Sequence, residues 1–136
     1  MNLHPYLVLI RPANVITAVS DVLAGCAISG CFINLHETPL FNLILLLLST
    51  SCLYSGGIVF NDIFDLNIDR IERPERPLPR GQVSLKNAKI LAITLLLTGI
   101  LVSFLIHAES GLIALLISLT ALLYNRYTKD FLVIGP

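Results

Sequence analysis

A chain of 136 residues that is 55% hydrophobic and only 13% charged has far more apolar surface than one water-soluble core can hide. Nine basic and nine acidic side chains balance to zero, which is uninformative because the basic ones are sorted along the chain, and no nucleic-acid partner is expected of a lipid-facing chain. Composition excludes a soluble globular enzyme and leaves an integral membrane protein.

In chain order, four segments are long and apolar enough to cross about 30 Å of hydrocarbon at about 20 residues each. They are Val15 to Ile33, Leu40 to Val59 with a polar extension to Asp69, Leu85 to Ile106, and Ser110 to Tyr124, running on to Arg126. The fold class is therefore all-α, a polytopic transmembrane helical bundle forming one domain over residues 1–136. The first span lacks a basic leader and a cleavage site and reads as a retained helix. Brief connections at Asn34 to Pro39 and His107 to Glu109 set the joined helices antiparallel. The loop at 71–84 differs, because Pro74, Pro77 and Pro79 forbid a continuous helix and Gly81 suits a turn. Ser84 is positioned to cap the helix that follows.

Every basic residue (Arg11, Arg70, Arg73, Arg76, Arg80, Lys86, Lys89, Arg126 and Lys129) avoids the two brief connections. The positive-inside rule then puts both termini and the 71–84 loop in the cytoplasm, with a bacterial plasma membrane as the simplest host. Cys26, Cys31 and Cys52 fall inside spans without zinc or CxxC spacing and read as small packing residues.

The second span carries the chemistry. Asn61-Asp62-x-x-Asp65-x-x-x-Asp69 hangs four oxygen-bearing groups on its wet end. At about 3.6 residues per turn, positions 61, 65 and 69 drift about 40° per step and Asp62 falls beside Asp69. Tyr54, Ile58, Ser51 and Ser55 lie on the same arc, while the opposite arc is almost wholly apolar. A polar stripe of this kind suits a helix lining a cavity. Like charges repel, and a hard divalent cation relieves them; Mg²⁺ takes one or two carboxylates and completes its shell with water and substrate phosphates. The plainer reading has the aspartates capping a helix end, balanced by Arg70 and Arg73, since charge near the interface costs much less than at mid-bilayer.

These residues also carry a resemblance. The aspartate run, followed by Arg73-Pro74-x-Arg76-Pro77-Leu78-Pro79-x-Gly81, resembles the first aspartate-rich motif and loop of the UbiA superfamily of intramembrane prenyltransferases. Arg11-Pro12-Ala13-Asn14 is similar to that family's opening motif, and Tyr124 with Lys129 to the residues closing its fourth helix. Gly56-Gly57-Ile58-Val59-Phe60, the doubled Glu-Arg-Pro at 72–77 and Ile134-Gly135-Pro136 resemble more narrowly an EboC-like branch.

The resemblance implies Mg²⁺-dependent transfer of an isoprenyl group from an allylic prenyl diphosphate to a hydrophobic, often aromatic, acceptor within a bundle of eight or nine helices. It also implies roles. Asn61, Asp65 and Asp69 become catalytic metal ligands, with Asp62 an orienting or alternative ligand. Arg76, Arg80, Lys129, Tyr124 and Asn14 become diphosphate contacts, and Tyr54 and Ile58 cavity walls. A second aspartate-rich motif, present in the family, does not occur in these residues, so the chain is expected to represent an N-terminal half that is inactive alone. The alternative is a non-catalytic membrane protein that binds or moves a lipid, an ion or a prenylated metabolite.

Overall fold

The structure, a computed structural model, describes residues 3–30 and 40–128, and all regular structure within them is helical. Six α-helices follow in order: α1 His4–Ile10, α2 Pro12–Ile28, α3 Leu40–Phe64, α4 Leu66–Glu72, α5 Leu85–Ile106 and α6 Ala108–Leu123, which widens into a π-helical turn at Tyr124–Thr128. The helices α3 and α5, and α6 through Arg126, are each long and apolar enough to cross a membrane. The pair α1 and α2 passes the same test together, bent by 43°.

That bend corrects the first span, which starts before Val15. Pro12 disfavours the right-handed helical region for the residue before it, and Arg11 adopts φ 50°, ψ 71°, the left-handed region. The chain turns there, and Pro12 occupies the first position of α2, where its missing N–H costs nothing. The second span also departs from one unbroken rod between 40 and 69. The helix α3 closes at Phe64, Asp65 sits at φ −82°, ψ 0°, and the short α4 continues from it. Backbone bonds from Asp65 N–H to Asn61 O (2.9 Å) and from Asp69 N–H to Asp65 O (2.8 Å) carry helical hydrogen bonding across that step.

Small residues set the packing of α3 on α5. A Cβ added to Gly56 would lie 2.9 Å from Leu96, and one added to Gly99 would lie 2.7 Å from Leu53, so each helix receives a leucine of the other where it has no side chain. Near the middle of the spans, the buried Ser49 hydroxyl donates to Gly99 O (2.8 Å) and pairs with Ser103 Oγ (2.6 Å). The tight α5–α6 connection at His107 is possible because Gly111 lies under the Phe104 ring.

The buried core gathers at the loop end of the bundle. Leu78 and Val83 from the 73–84 loop meet Leu9 of α1, Val59 of α3, and Ala88 and Ala92 of α5. Gly81, at φ 70°, turns the loop, and Gln82 and Val83 both donate to Pro77 O to close it. Ser84 Oγ then accepts Asn87 N–H (3.2 Å) and starts α5. Outside this core the long helices expose leucines and isoleucines, as lipid-facing helices do.

Candidate functional site

Where α2, α3, α5 and α6 fail to close on one another, a cleft of about 560 Å³ opens. Its deeper wall is mainly apolar, formed by Leu53, Ile58, Leu96, Ile117 and Leu122, with Thr50 and Ser118 as the polar exceptions. At one end it becomes polar: Arg11 and Asn14 from the start of α2, Asn61 from the end of α3, and Tyr124 with Asn125 from the π-helical turn. A cleft of this size suits a small-molecule ligand with a long apolar portion and one polar head.

Local sequence explains how each group arrives there. The bend at Arg11 swings the first turn of α2 toward α3, which brings Asn14 opposite Asn61. Widening of the last turn of α6 rotates Tyr124 and Asn125 onto the cleft; π-turns of this kind recur at functional sites. Tyr54 sits two turns above Asn61 on the same face of α3.

Of the residues singled out from sequence, Asn14, Tyr54, Ile58, Asn61 and Tyr124 line this cleft. Asp65 adjoins it through Asn61, whose Nδ2 donates to Asp65 Oδ2 at 3.0 Å. Asp62 and Asp69 do not share that pair. Both are buried, and both point into arginines: Arg76 Nη1 donates to Asp69 Oδ2 (2.6 Å) and to Asp62 Oδ1 (3.2 Å), while Arg11 Nη2 forms a second ion pair with Asp62. Arg76 is thus turned to the aspartates and is absent from the cleft wall. Arg80 is exposed on the loop, and Lys129 lies outside the described residues.

Of the four oxygen-bearing groups expected around one ion, the structure pairs Asn61 with Asp65 and sets Asp62 and Asp69 against arginines. Among the described residues, no three His, Cys, Asp or Glu side chains gather where they would hold a metal. The physical reason is the arginines, which neutralise two of the three carboxylates. What stands at the cleft is one carboxylate and one amide, a donor set that fits an ion taking few protein ligands and the rest from substrate phosphate and water. Sequence reasoning missed Arg11, Thr50, Ser118 and Asn125 as cleft residues. Arg11 was legible only as a motif member and a basic anchor. Asn125 follows Tyr124 directly, and only the wider helical turn puts both on one wall.

Comparison with known proteins places these features in a family. The chain is 38% identical over 130 residues to digeranylgeranylglyceryl phosphate synthase of Sulfurisphaera tokodaii, covering 96% of this chain and 44% of that protein. It is 37% identical over 134 residues to the synthase of the same name from Methanocaldococcus jannaschii, covering 98% and 46%. A solved structure from a study of digeranylgeranylglyceryl phosphate synthase in membranes superposes with a TM-score of 0.85 at 37% identity, over 93% of this chain and 44% of that one. The chain spans a little under half the length of these relatives. The model of the UbiA prenyltransferase family matches residues 22–135, and the chain belongs to that family.

Proposed function

We propose that this chain supplies the first half of the reaction chamber of an intramembrane prenyltransferase, which moves an isoprenyl group from an allylic diphosphate to a glyceryl phosphate acceptor. The observation that carries this reading is the cleft itself, apolar along its depth and polar at one end, with Asn61 and its partner Asp65 at the polar rim. The product named for the relatives, a glyceryl phosphate bearing two geranylgeranyl groups, favours a phosphoglycerol acceptor over the aromatic ring that the resemblance alone implied.

In this reading the apolar wall of Leu53, Ile58, Leu96, Ile117 and Leu122 takes the prenyl chain. The diphosphate lies at the polar rim, where Asn14 and Asn125 offer amide donors and Arg11 a charged one. Asn61 and Asp65 would hold Mg²⁺, with Asp65 as the protein carboxylate. When bound, that ion stabilises the negative charge that builds on the departing diphosphate. As the C–O bond to diphosphate breaks, the prenyl carbon gains positive charge, and the Tyr54 ring two turns deeper stands where it can face that charge. The glyceryl hydroxyl then forms the new C–O bond and gives up its proton to the departing diphosphate. Walls of lipid-facing helix keep water from the cation in the meantime.

Orientation follows from charge. Arg11, the 73–84 loop and Arg126 sit at the polar end of the cleft or next to it, and by the positive-inside rule this supports a reading in which that end faces the cytoplasmic side of the membrane. In this reading the remaining walls, with the second aspartate-rich motif that the resemblance implies, correspond to the part of the relatives that this chain does not span.

The test is binding by the chain reconstituted in lipid nanodiscs. A non-cleavable geranylgeranyl thiolodiphosphate should bind in a Mg²⁺-dependent way, and Asp65→Asn and Asn61→Ala should each weaken it about tenfold or more, the loss of one charge-assisted contact. Binding indifferent to Mg²⁺ and to both substitutions would overturn the catalytic reading in favour of a lipid carrier.

A further inference from the structure

The motif's four polar groups are divided between two partnerships, and the division has a consequence. Asp62 and Asp69 are 3% and 4% exposed. Two ionised carboxylates buried this deeply persist only with close compensation, and one guanidinium provides most of it. Arg76 Nη1 lies 2.6 Å from Asp69 Oδ2 and 3.2 Å from Asp62 Oδ1, bridging positions seven residues apart, one on each side of the helix break at Asp65. Its side chain is only 17% exposed. Arg11 Nη2 pairs with the same Asp62 oxygen, Oδ1, and reaches it from the bend between α1 and α2. Two carboxylates and two guanidiniums make the cluster neutral.

From this geometry, and resting on the reading of the cleft above, we infer that Arg76 is a positioning residue for the metal-binding pair, with Asp62 and Asp69 as its anchors. The bridge pins the end of α3 to the start of α4 and ties both to the 73–84 loop. Asp65 stands between the two anchored turns, so its direction, and that of Asn61 one turn back, is set by how those turns are held. A planar guanidinium suits this task, because Nη1 alone carries two N–H groups in fixed directions and gives one to each carboxylate. Arg76 acts through the backbone and does not touch the ligand, which separates this assignment from a diphosphate contact.

The experiment measures Mn²⁺ bound with pyrophosphate by electron paramagnetic resonance, on the chain in nanodiscs, together with amide hydrogen exchange over residues 61–83. Arg76→Met leaves Asp69 charged, buried and without its arginine, and should weaken Mn²⁺ binding about tenfold and speed exchange across 66–83. Asp69→Asn keeps the shape and removes the charge, and should stay within about threefold of the parent. The double variant Arg76→Met with Asp69→Asn should bind better than Arg76→Met alone, because the stranded charge is gone. Arg76→Lys, which preserves charge and folding, should recover part of the affinity and leave exchange intermediate.

Additive losses in the double variant with unchanged exchange would overturn the assignment and make Arg76 a ligand contact. Loss on Asp69→Asn equal to that on Asp65→Asn would overturn it in favour of Asp69 as a metal ligand. The underlying reading fails separately, when Asp65→Asn has no effect on Mn²⁺ at all; the exchange measurements on Arg76→Lys and Arg76→Met then still decide whether the bridge organises 61–83.

Discussion

One helix, α3, presents two unlike faces, and the contrast between them explains much of the molecule. Toward α5 it offers Ser49, Leu53 and Gly56 to a partner whose Gly99, Leu96 and Ser103 fit against them, with the buried Ser49 and Ser103 hydroxyls hydrogen-bonded. Toward α2 and α6 it offers Thr50, Tyr54, Gly57 and Asn61, and there the helices stand apart around a cleft. The same 25-residue element is thus both glue and wall. Lipid supplies no hydrophobic force between helices, so close approach of small residues must hold the bundle on one face before a cavity can be kept open on the other.

Substitutions that target one face and spare the other test this division. The largest effect belongs to Gly99→Leu, which drives a side chain into Leu53 and should cost about 3 kcal/mol of stability in detergent unfolding, the upper end for overpacking. If the α3–α5 contact were incidental, the melting point would hardly move. Next is Ile117→Trp on the cleft wall, where the residue is 55% exposed and has room to grow. It should lower affinity for a prenyl diphosphate analogue about tenfold, or 1.4 kcal/mol, while leaving unfolding unchanged. An effect on stability as large as that of Gly99→Leu would erase the distinction between the faces.

Smaller effects sharpen the picture. Ser84→Ala removes the hydroxyl that accepts Asn87 N–H and should cost about 1 kcal/mol, seen as faster amide exchange confined to the first turn of α5. Ser49→Ala removes the mid-span hydrogen bond to Gly99 O and should cost about 0.6 kcal/mol, near the average for such bonds in membranes, with ligand binding unaffected.

Much of this was legible in the residues. Apolar runs alone announced the long helices, because nothing but a helix can satisfy its backbone in lipid. Ser84 announced the start of α5, and the prolines between Arg73 and Arg80 announced the loop. The polar arc of α3 already put Tyr54, Ile58 and Asn61 on one wall, since that depends only on helical period. On the same wheel Asn61, Asp65 and Asp69 step by about 40° each and Asp62 falls about 20° beyond Asp69, so the period shows one continuous cluster and not two pairs. The separation into pairs was not legible. It is made by Arg11, 51 positions before Asp62, and by Arg76, 14 positions after it, and no periodicity reports contacts across such distances. The bend at Arg11 was hidden for a related reason. Arg11-Pro12 restricts the backbone, but its left-handed turn has meaning only once Asp62 is there to receive the guanidinium.

The central claim is that the cleft between α2, α3, α5 and α6 receives the prenyl chain with its diphosphate at the Asn61 end. Photo-crosslinking tests it directly, with a geranylgeranyl diphosphate analogue carrying a diazirine at the far end of the chain, applied to the protein in lipid and read by peptide mass spectrometry. The account predicts adducts on the apolar wall, at Leu53, Leu96, Ile117 or Leu122, that are lost in excess unlabelled prenyl diphosphate. Adducts confined to the lipid-facing residues Leu97, Leu101 and Leu105 of α5, unaffected by competitor, would contradict it.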